Sequence, residues 1–189
     1  MEAFFVSLGV VALSEIGDKT QLLALVLAAR FRRPVPIILG ILVATLVNHT
    51  VAGLLGSWLA TRIGPDAMRW ILALAFLAMA VWCIIPDRYA DRPTQPARFG
   101  VFGTTLVTFF LVEMGDKTQI ATVALAAKYS SLLAVVAGTS CGMLLADAPV
   151  VLLGEAAARV LPMRLVRGLA AASFAALALL LLLNVRIGA

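Results

Sequence analysis

The string Glu15-Ile16-Gly17-Asp18-Lys19-Thr20-Gln21 returns at residues 113 to 119 as Glu113-Met114-Gly115-Asp116-Lys117-Thr118-Gln119, with six of its seven residues unchanged. Both copies lie inside long apolar stretches. A charged side chain there costs several kcal/mol unless it faces a protein interior or a water-filled path. Two near-identical clusters, each at the same depth in its own half, describe a site rather than an accident of packing. They imply a duplicated membrane protein that handles a cation near the bilayer midplane.

Composition agrees. Of 189 residues, 62% are hydrophobic and 13% charged, against about 45–50% and about 25% in a soluble domain, and the mean hydropathy is +1.04. A chain this apolar cannot hide its surface in one aqueous core. The net charge of +5 does not indicate nucleic acid, because the arginines fall between apolar runs, as the positive-inside rule produces. The amino end, Met1-Glu2-Ala3, lacks the basic region of a secretory signal, so the first apolar run is expected to stay as a transmembrane helix. Cys83 and Cys141 form no disulfide or metal pattern and read as small buried hydrophobes.

A bilayer core of about 30 Å asks for about 20 apolar residues per helix. Six segments qualify, at about residues 4–29, 35–60, 68–86, 99–127, 131–158 and 165–185. The expected fold is therefore an all-α integral membrane protein of six transmembrane helices. Residues 1–86 form a first three-helix repeat, 87–98 a polar cytoplasmic linker, and 99–189 a second repeat. The correspondence extends beyond the motif: Gly40 aligns with Gly138, Gly56 with Gly154, Arg69 with Arg167 and Phe76 with Phe174. Three spans per half is an odd number, so the second half enters the membrane in the opposite sense. That inverted repeat is common among secondary transporters. With the amino end outside, the inner loops hold Arg30, Arg32, Arg33, Arg88, Arg92, Arg98, Arg159, Arg164 and Arg167, and the outer segments only Arg62, Arg69, Lys128 and Arg186. The imbalance predicts both termini outside.

On a continuous helix Glu15, Asp18 and Lys19 share an arc of about 100°. Glu15 and Lys19 are then i, i+4 neighbours that can pair, leaving Asp18 freer for a ligand. Gly17 permits either a close helix approach or a local break. Thr20 and Gln21 add neutral oxygens, and Thr118 and Gln119 repeat them. Four carboxylates (Glu15, Asp18, Glu113, Asp116) against Lys19 and Lys117 leave two negative charges. One divalent cation or two protons would neutralise these. Oxygen donors suit Mn²⁺, Ca²⁺ and Mg²⁺, whereas Zn²⁺ and Cu⁺ lack the Cys or paired His they prefer.

At the repeat offset Asn48-His49 stands opposite Ala146-Asp147. Asp147 is a candidate fifth acidic group, and Pro149 frees a backbone carbonyl about one turn earlier. His49 is either a proton relay or a helix-packing residue. Glu155, near the cytoplasmic end of the fifth span, reads as a solvated or mouth residue rather than a ligand.

The doubled Glu-x-Gly-Asp-Lys-Thr motif resembles the signature of the membrane cation exchangers that include the Golgi calcium/manganese exchanger of eukaryotes and the Mne-type manganese exporters of bacteria, grouped with the lysine-exporter superfamily. The resemblance covers essentially the whole chain. It implies transport of Mn²⁺ or Ca²⁺ coupled to protons, with Glu15, Asp18, Glu113 and Asp116 as the acidic site residues and Lys19, Thr20, Lys117 and Thr118 as further motif members. The short loops resemble the bacterial branch, which implies manganese export across the cytoplasmic membrane. The expectation is thus a secondary transporter with no cofactor and no enzymatic activity. Its partners are the lipid bilayer, a divalent metal ion and protons, and a homo-oligomer stays open. An exporter of a small organic cation such as a basic amino acid is the alternative, and a non-transport scaffold comes third.

Overall fold

The computed structural model describes residues 1–85, 99–154 and 163–183, and all regular structure in them is helical. The helices in chain order are α1 (Glu2–Glu15), α2 (Lys19–Phe31), α3 (Pro34–Arg62), α4 (Pro65–Ile84), α5 (Gly100–Glu113), α6 (Lys117–Lys128), α7 (Leu132–Leu153) and α8 (Met163–Leu182). Four of them, α3, α4, α7 and α8, are long and apolar enough to cross a membrane. The chain is an all-α membrane protein. The linker 87–98 and Glu155 lie outside the described residues.

The first and fourth expected spans are not single helices. Residues 4–29 divide into α1 and α2, and 99–127 into α5 and α6, each broken at the repeated motif. Over the described residues, α3, α4, α7 and α8 lie on the second, third, fifth and sixth expected spans, with α7 ending at Leu153; residue 86 of the third span, 155–158 of the fifth and 184–185 of the sixth lie outside them. Pro34 and Pro65 open α3 and α4 at the first helical position, where a missing N–H leaves nothing unsatisfied.

Polarity along α3 is inside-out. Gly40, Ile41, Ala44, Thr45, Asn48 and Ala52 form its buried stripe at i, i+3/i+4 spacing, while Leu39, Val43, Leu46, Val51 and Leu54 are exposed. Water would not tolerate so continuous an apolar face, but lipid does. Cys141 also faces outward, contrary to its expected burial.

Glycines set the closest helix contacts. A Cβ on Gly138 of α7 would stand 2.4 Å from the Phe4 carbonyl oxygen and 3.0 Å from Ser7 Cβ of α1. One on Gly40 of α3 would meet Thr105 Cβ at 2.8 Å and the Phe102 carbonyl oxygen at 3.0 Å, both on α5. Every member of the first contact has its repeat equivalent in the second. The next contact on α7 pairs Gly142 with Leu8 and Ala12, so α1 and α7 run in the same direction. On α3, Asn48 meets Phe110 and Glu113, so α3 and α5 also run together. Phe76 of α4 stacks on its own repeat equivalent, Phe174 of α8, with centroids 6.2 Å apart.

Candidate metal centre

The two motifs adopt one backbone geometry. α1 ends at Glu15, Ile16 is extended (φ −61°, ψ 119°), Gly17 takes φ +80°, and Asp18 is the residue preceding α2 (φ −83°, ψ 170°). In the second copy Met114 has φ −61° and ψ 120°, Gly115 φ +76°, and Asp116 φ −81° and ψ 165°. The positive φ disfavours any residue with a Cβ, so glycine is required at both positions. The glutamines hold the break. Gly17 N donates to Gln21 Oε1 at 2.9 Å and Gly115 N to Gln119 Oε1 at 2.8 Å, a variant of the side chain that reaches back across a helix start. Asp18 and Asp116 occupy cap positions, yet neither carboxylate caps its helix. Both are turned toward the opposite half.

There the ion pairs cross. Lys117 Nζ lies 2.9 Å from Asp18 Oδ1, and Lys19 Nζ lies 2.8 Å from Asp116 Oδ1. The expected pairing of Glu15 with Lys19 is therefore corrected: the break ends the helix on which they would be neighbours. Thr20 Oγ1 donates to Glu15 Oε1 instead. Carboxylate oxygens of Glu15, Asp18 and Asp116 come within 4.8 Å of one another, and all three residues are buried. Three anionic oxygens at that spacing can close on a single hard cation, whose bonds to oxygen are about 2.0–2.6 Å.

The surroundings of the two glutamates differ. Glu113 accepts hydrogen bonds from Thr45 Oγ1 at 3.4 Å and Asn48 Nδ2 at 3.2 Å, and His49 Nε2 stands 3.6 Å from its Oε1. Glu15 Oε2 and both oxygens of Asp147 are buried without a hydrogen-bond partner among the described residues. Asp147 lies within Coulombic reach of both Glu15 and Glu113. Its repeat equivalent is His49, so one half presents an extra carboxylate where the other presents an imidazole. The glutamine amides show the same replacement. Gln119 Nε2 donates to Asn48 Oδ1 at 3.3 Å, and Gln21 Nε2 to the Ala146 carbonyl at 3.0 Å. A side-chain oxygen in one half stands in for a backbone oxygen in the other.

The structure thus brings Glu15, Asp18 and Asp116 together and sets Glu113, Asp147 and Thr20 beside them. Thr118 is buried and its hydroxyl makes no hydrogen bond among the described residues. Gln21 and Gln119, expected to offer oxygens to a metal, spend those oxygens on Gly17 and Gly115. The carbonyl that loses its N–H partner to Pro149 is that of Leu145; the one engaged is its neighbour, Ala146. Thr45 and Asn48 enter the site without having been singled out as site residues. Their signal was the buried polar stripe of α3.

The family model described as divalent cation/proton antiporter GDT1 matches residues 3–91 and 101–188, one stretch in each half. A relative from Vibrio cholerae serotype O1, named "Putative manganese exporter", is 47% identical over 180 residues, covering 95% of this chain and 90% of its own. A "GDT1-like protein" from Synechocystis is 30% identical over 147 residues, covering 67% of this chain and 71% of its own. No solved structure gives a significant match.

Proposed function

The chain belongs to the GDT1 family of divalent cation/proton antiporters, and from that premise we propose that it exports Mn²⁺, with Ca²⁺ as a second substrate, from the bacterial cytoplasm across the inner membrane in exchange for protons. It is a transporter and not an enzyme. The observation that carries the substrate class is the group of three buried carboxylates within 4.8 Å. A basic amino acid would need a longer chamber with apolar walls beside the acids, whereas this spacing fits one ion. Asp147 joins the set as a fourth acid, and Thr20 and Thr118 supply hydroxyl oxygens.

In this reading the membrane domain is an inverted pair of three-span repeats, 1–86 and 99–189, joined by a cytoplasmic linker, with both termini outside. Counting α1–α2 and α5–α6 each as one broken span gives six. The common direction of α1 with α7 and of α3 with α5 supports the inversion, because α3 runs back across the membrane from the span that α1 begins. Broken helices at the midplane are the usual place for a transported ion, since their free ends present carbonyls and N–H groups to it.

The lysines act as tethered cations. With the carboxylates ionised, Lys19 and Lys117 neutralise Asp116 and Asp18, and an arriving metal ion competes with them for the same oxygens. Protons compete likewise, which is the minimum that exchange at one site requires. The test is Mn²⁺ movement in proteoliposomes carrying wild type, Asp18→Asn or Asp116→Asn. Each substitution keeps the shape and removes one charge, so transport should fall at least ten-fold while the protein still folds. Wild-type transport by both variants would misplace the site.

A further inference from the structure

Away from the carboxylates, the turn between α3 and α4 opens into a cavity of about 740 Å³, inside the range of about 300–1,000 Å³ typical of small-molecule pockets. Nothing in cation exchange uses it. Arg62, Arg69 and Lys128 line it against a single acid, Asp66. Among the described residues Arg62 and Arg69 are in no ion pair and Arg69 Nε is buried without a hydrogen-bond partner, whereas Lys128 Nζ donates to Tyr129 Oη at 3.1 Å, which in turn donates to Glu2 Oε1 at 3.2 Å. α4 begins at the cavity with Gly64 and Pro65, so its positive dipole end adds to the field.

The remaining walls are apolar, with Ile63, Leu72 and Leu181 among them. The rim is aromatic. Arg62 lies 5.8 Å from the ring of Trp58, Arg69 5.9 Å from Trp70, and Lys128 4.3 Å from Tyr129. Trp58 and Trp70 are exposed. Three aromatic residues beside three cations at helix ends mark the headgroup level of a bilayer. A cavity at that level with a cationic floor and apolar walls has the two-sided chemistry of an anionic lipid, whose phosphate can take charge-assisted hydrogen bonds from the guanidinium groups.

We propose that this cavity binds the phosphodiester headgroup of an anionic phospholipid, with Arg69 and Lys128 as phosphate donors and Arg62 at the rim. A soluble phosphate would use the cations but leave the apolar walls unoccupied, so the lipid is the better match. The metal site shares none of these residues, so the proposal stands or falls apart from the transport reading.

Native mass spectrometry of the detergent-purified, delipidated full chain tests it, with phosphatidylglycerol, phosphatidylcholine and inorganic phosphate as probes. Wild type should retain one phosphatidylglycerol at least five-fold more than phosphatidylcholine. Arg69→Gln with Lys128→Gln should lower that retention at least five-fold, and Arg69→Lys should restore most of it. If the glutamine pair does not fold, Lys128→Gln with Arg62→Gln carries the same test. Retention unchanged in the variants, or equal for the two lipids, would overturn the site. Binding of inorganic phosphate without phosphatidylglycerol would overturn the lipid as its occupant.

Discussion

Replacing Lys117 by methionine separates the two crossed ion pairs. Lys117 and Asp18 side chains are 5% and 0% exposed, whereas Lys19 is 31% exposed opposite an Asp116 at 1%. Stranding one charge of a buried pair costs about 3–5 kcal/mol. In Lys117→Met, Asp18 loses this lysine with no open route to solvent, so the cost should fall in that range and exceed that of Lys19→Met. Lys19→Met vacates a channel that water can follow to Asp116, and its cost should stay nearer the about 1 kcal/mol of solvent-accessible pairs. At about 2–4 °C per kcal/mol for a chain of this length, the unfolding midpoint in detergent should drop by roughly 6–20 °C for Lys117→Met and by about 4 °C or less for Lys19→Met. Adding Asp18→Asn to Lys117→Met removes the stranded charge and should recover more than half of the loss. A second readout comes from the tethered-cation role. Lys117→Met should bind Mn²⁺ more tightly than wild type by titration calorimetry, because a competitor has gone. Equal midpoint losses in the two lysine variants, or no recovery in the double variant, would refute the reasoning.

Other expectations follow from the packing and the charge count. Gly138→Ala places a methyl 2.4 Å from the Phe4 carbonyl and should cost more than about 2 kcal/mol, read as a lowered midpoint, while Gly9→Ala, with open space around it, should cost little. The five buried carboxylates Glu15, Asp18, Glu113, Asp116 and Asp147, set against Lys19 and Lys117, leave three negative charges when all are ionised. Mn²⁺ with one retained proton balances these outward and three protons balance them on return, so exchange should be electroneutral at two protons per metal; a Mn²⁺-driven current in vesicles would contradict this. A protonophore that collapses the gradient should abolish uphill Mn²⁺ movement and leave downhill exchange intact, and uphill movement persisting with neither a proton nor a sodium gradient would end the antiporter reading. Single cysteines at the amino end and in loop 87–98 should label from opposite faces of the membrane; labelling from one face would remove the inversion.

The sequence showed where the charges are and hid how they are connected. Charged residues within apolar runs are visible in any hydropathy reading, and their doubling disclosed the repeat. The break at Ile16-Gly17-Asp18 was not visible, because hydropathy continues across it and one glycine serves close packing as readily as a positive φ. The Glu15–Lys19 pair, which depends on helix continuity, failed with it, and the glutamine oxygens gained a second task in holding Gly17 and Gly115. Thr45 and Asn48 escaped because neutral polar residues are common in membrane helices and their partner, Glu113, is 65 positions away from Asn48. The Ala146 carbonyl could not be found at all. A backbone acceptor leaves no mark in a residue list.

The crossed lysines also bear on how such a chain can be assembled. A polypeptide that stopped at the central linker would carry Asp18 and Lys19 into the membrane without the partners that Lys117 and Asp116 provide. Two copies of that half, inserted in opposite senses, would satisfy each other, since Lys19 of one could reach Asp18 of the next by the pattern seen here between the halves. On the proposed inversion, the fused protein is equivalent to a dimer whose subunits share one chain. Residues 1–86 and 99–189, expressed as separate polypeptides in one cell, should find each other and restore metal tolerance, and either alone should be degraded.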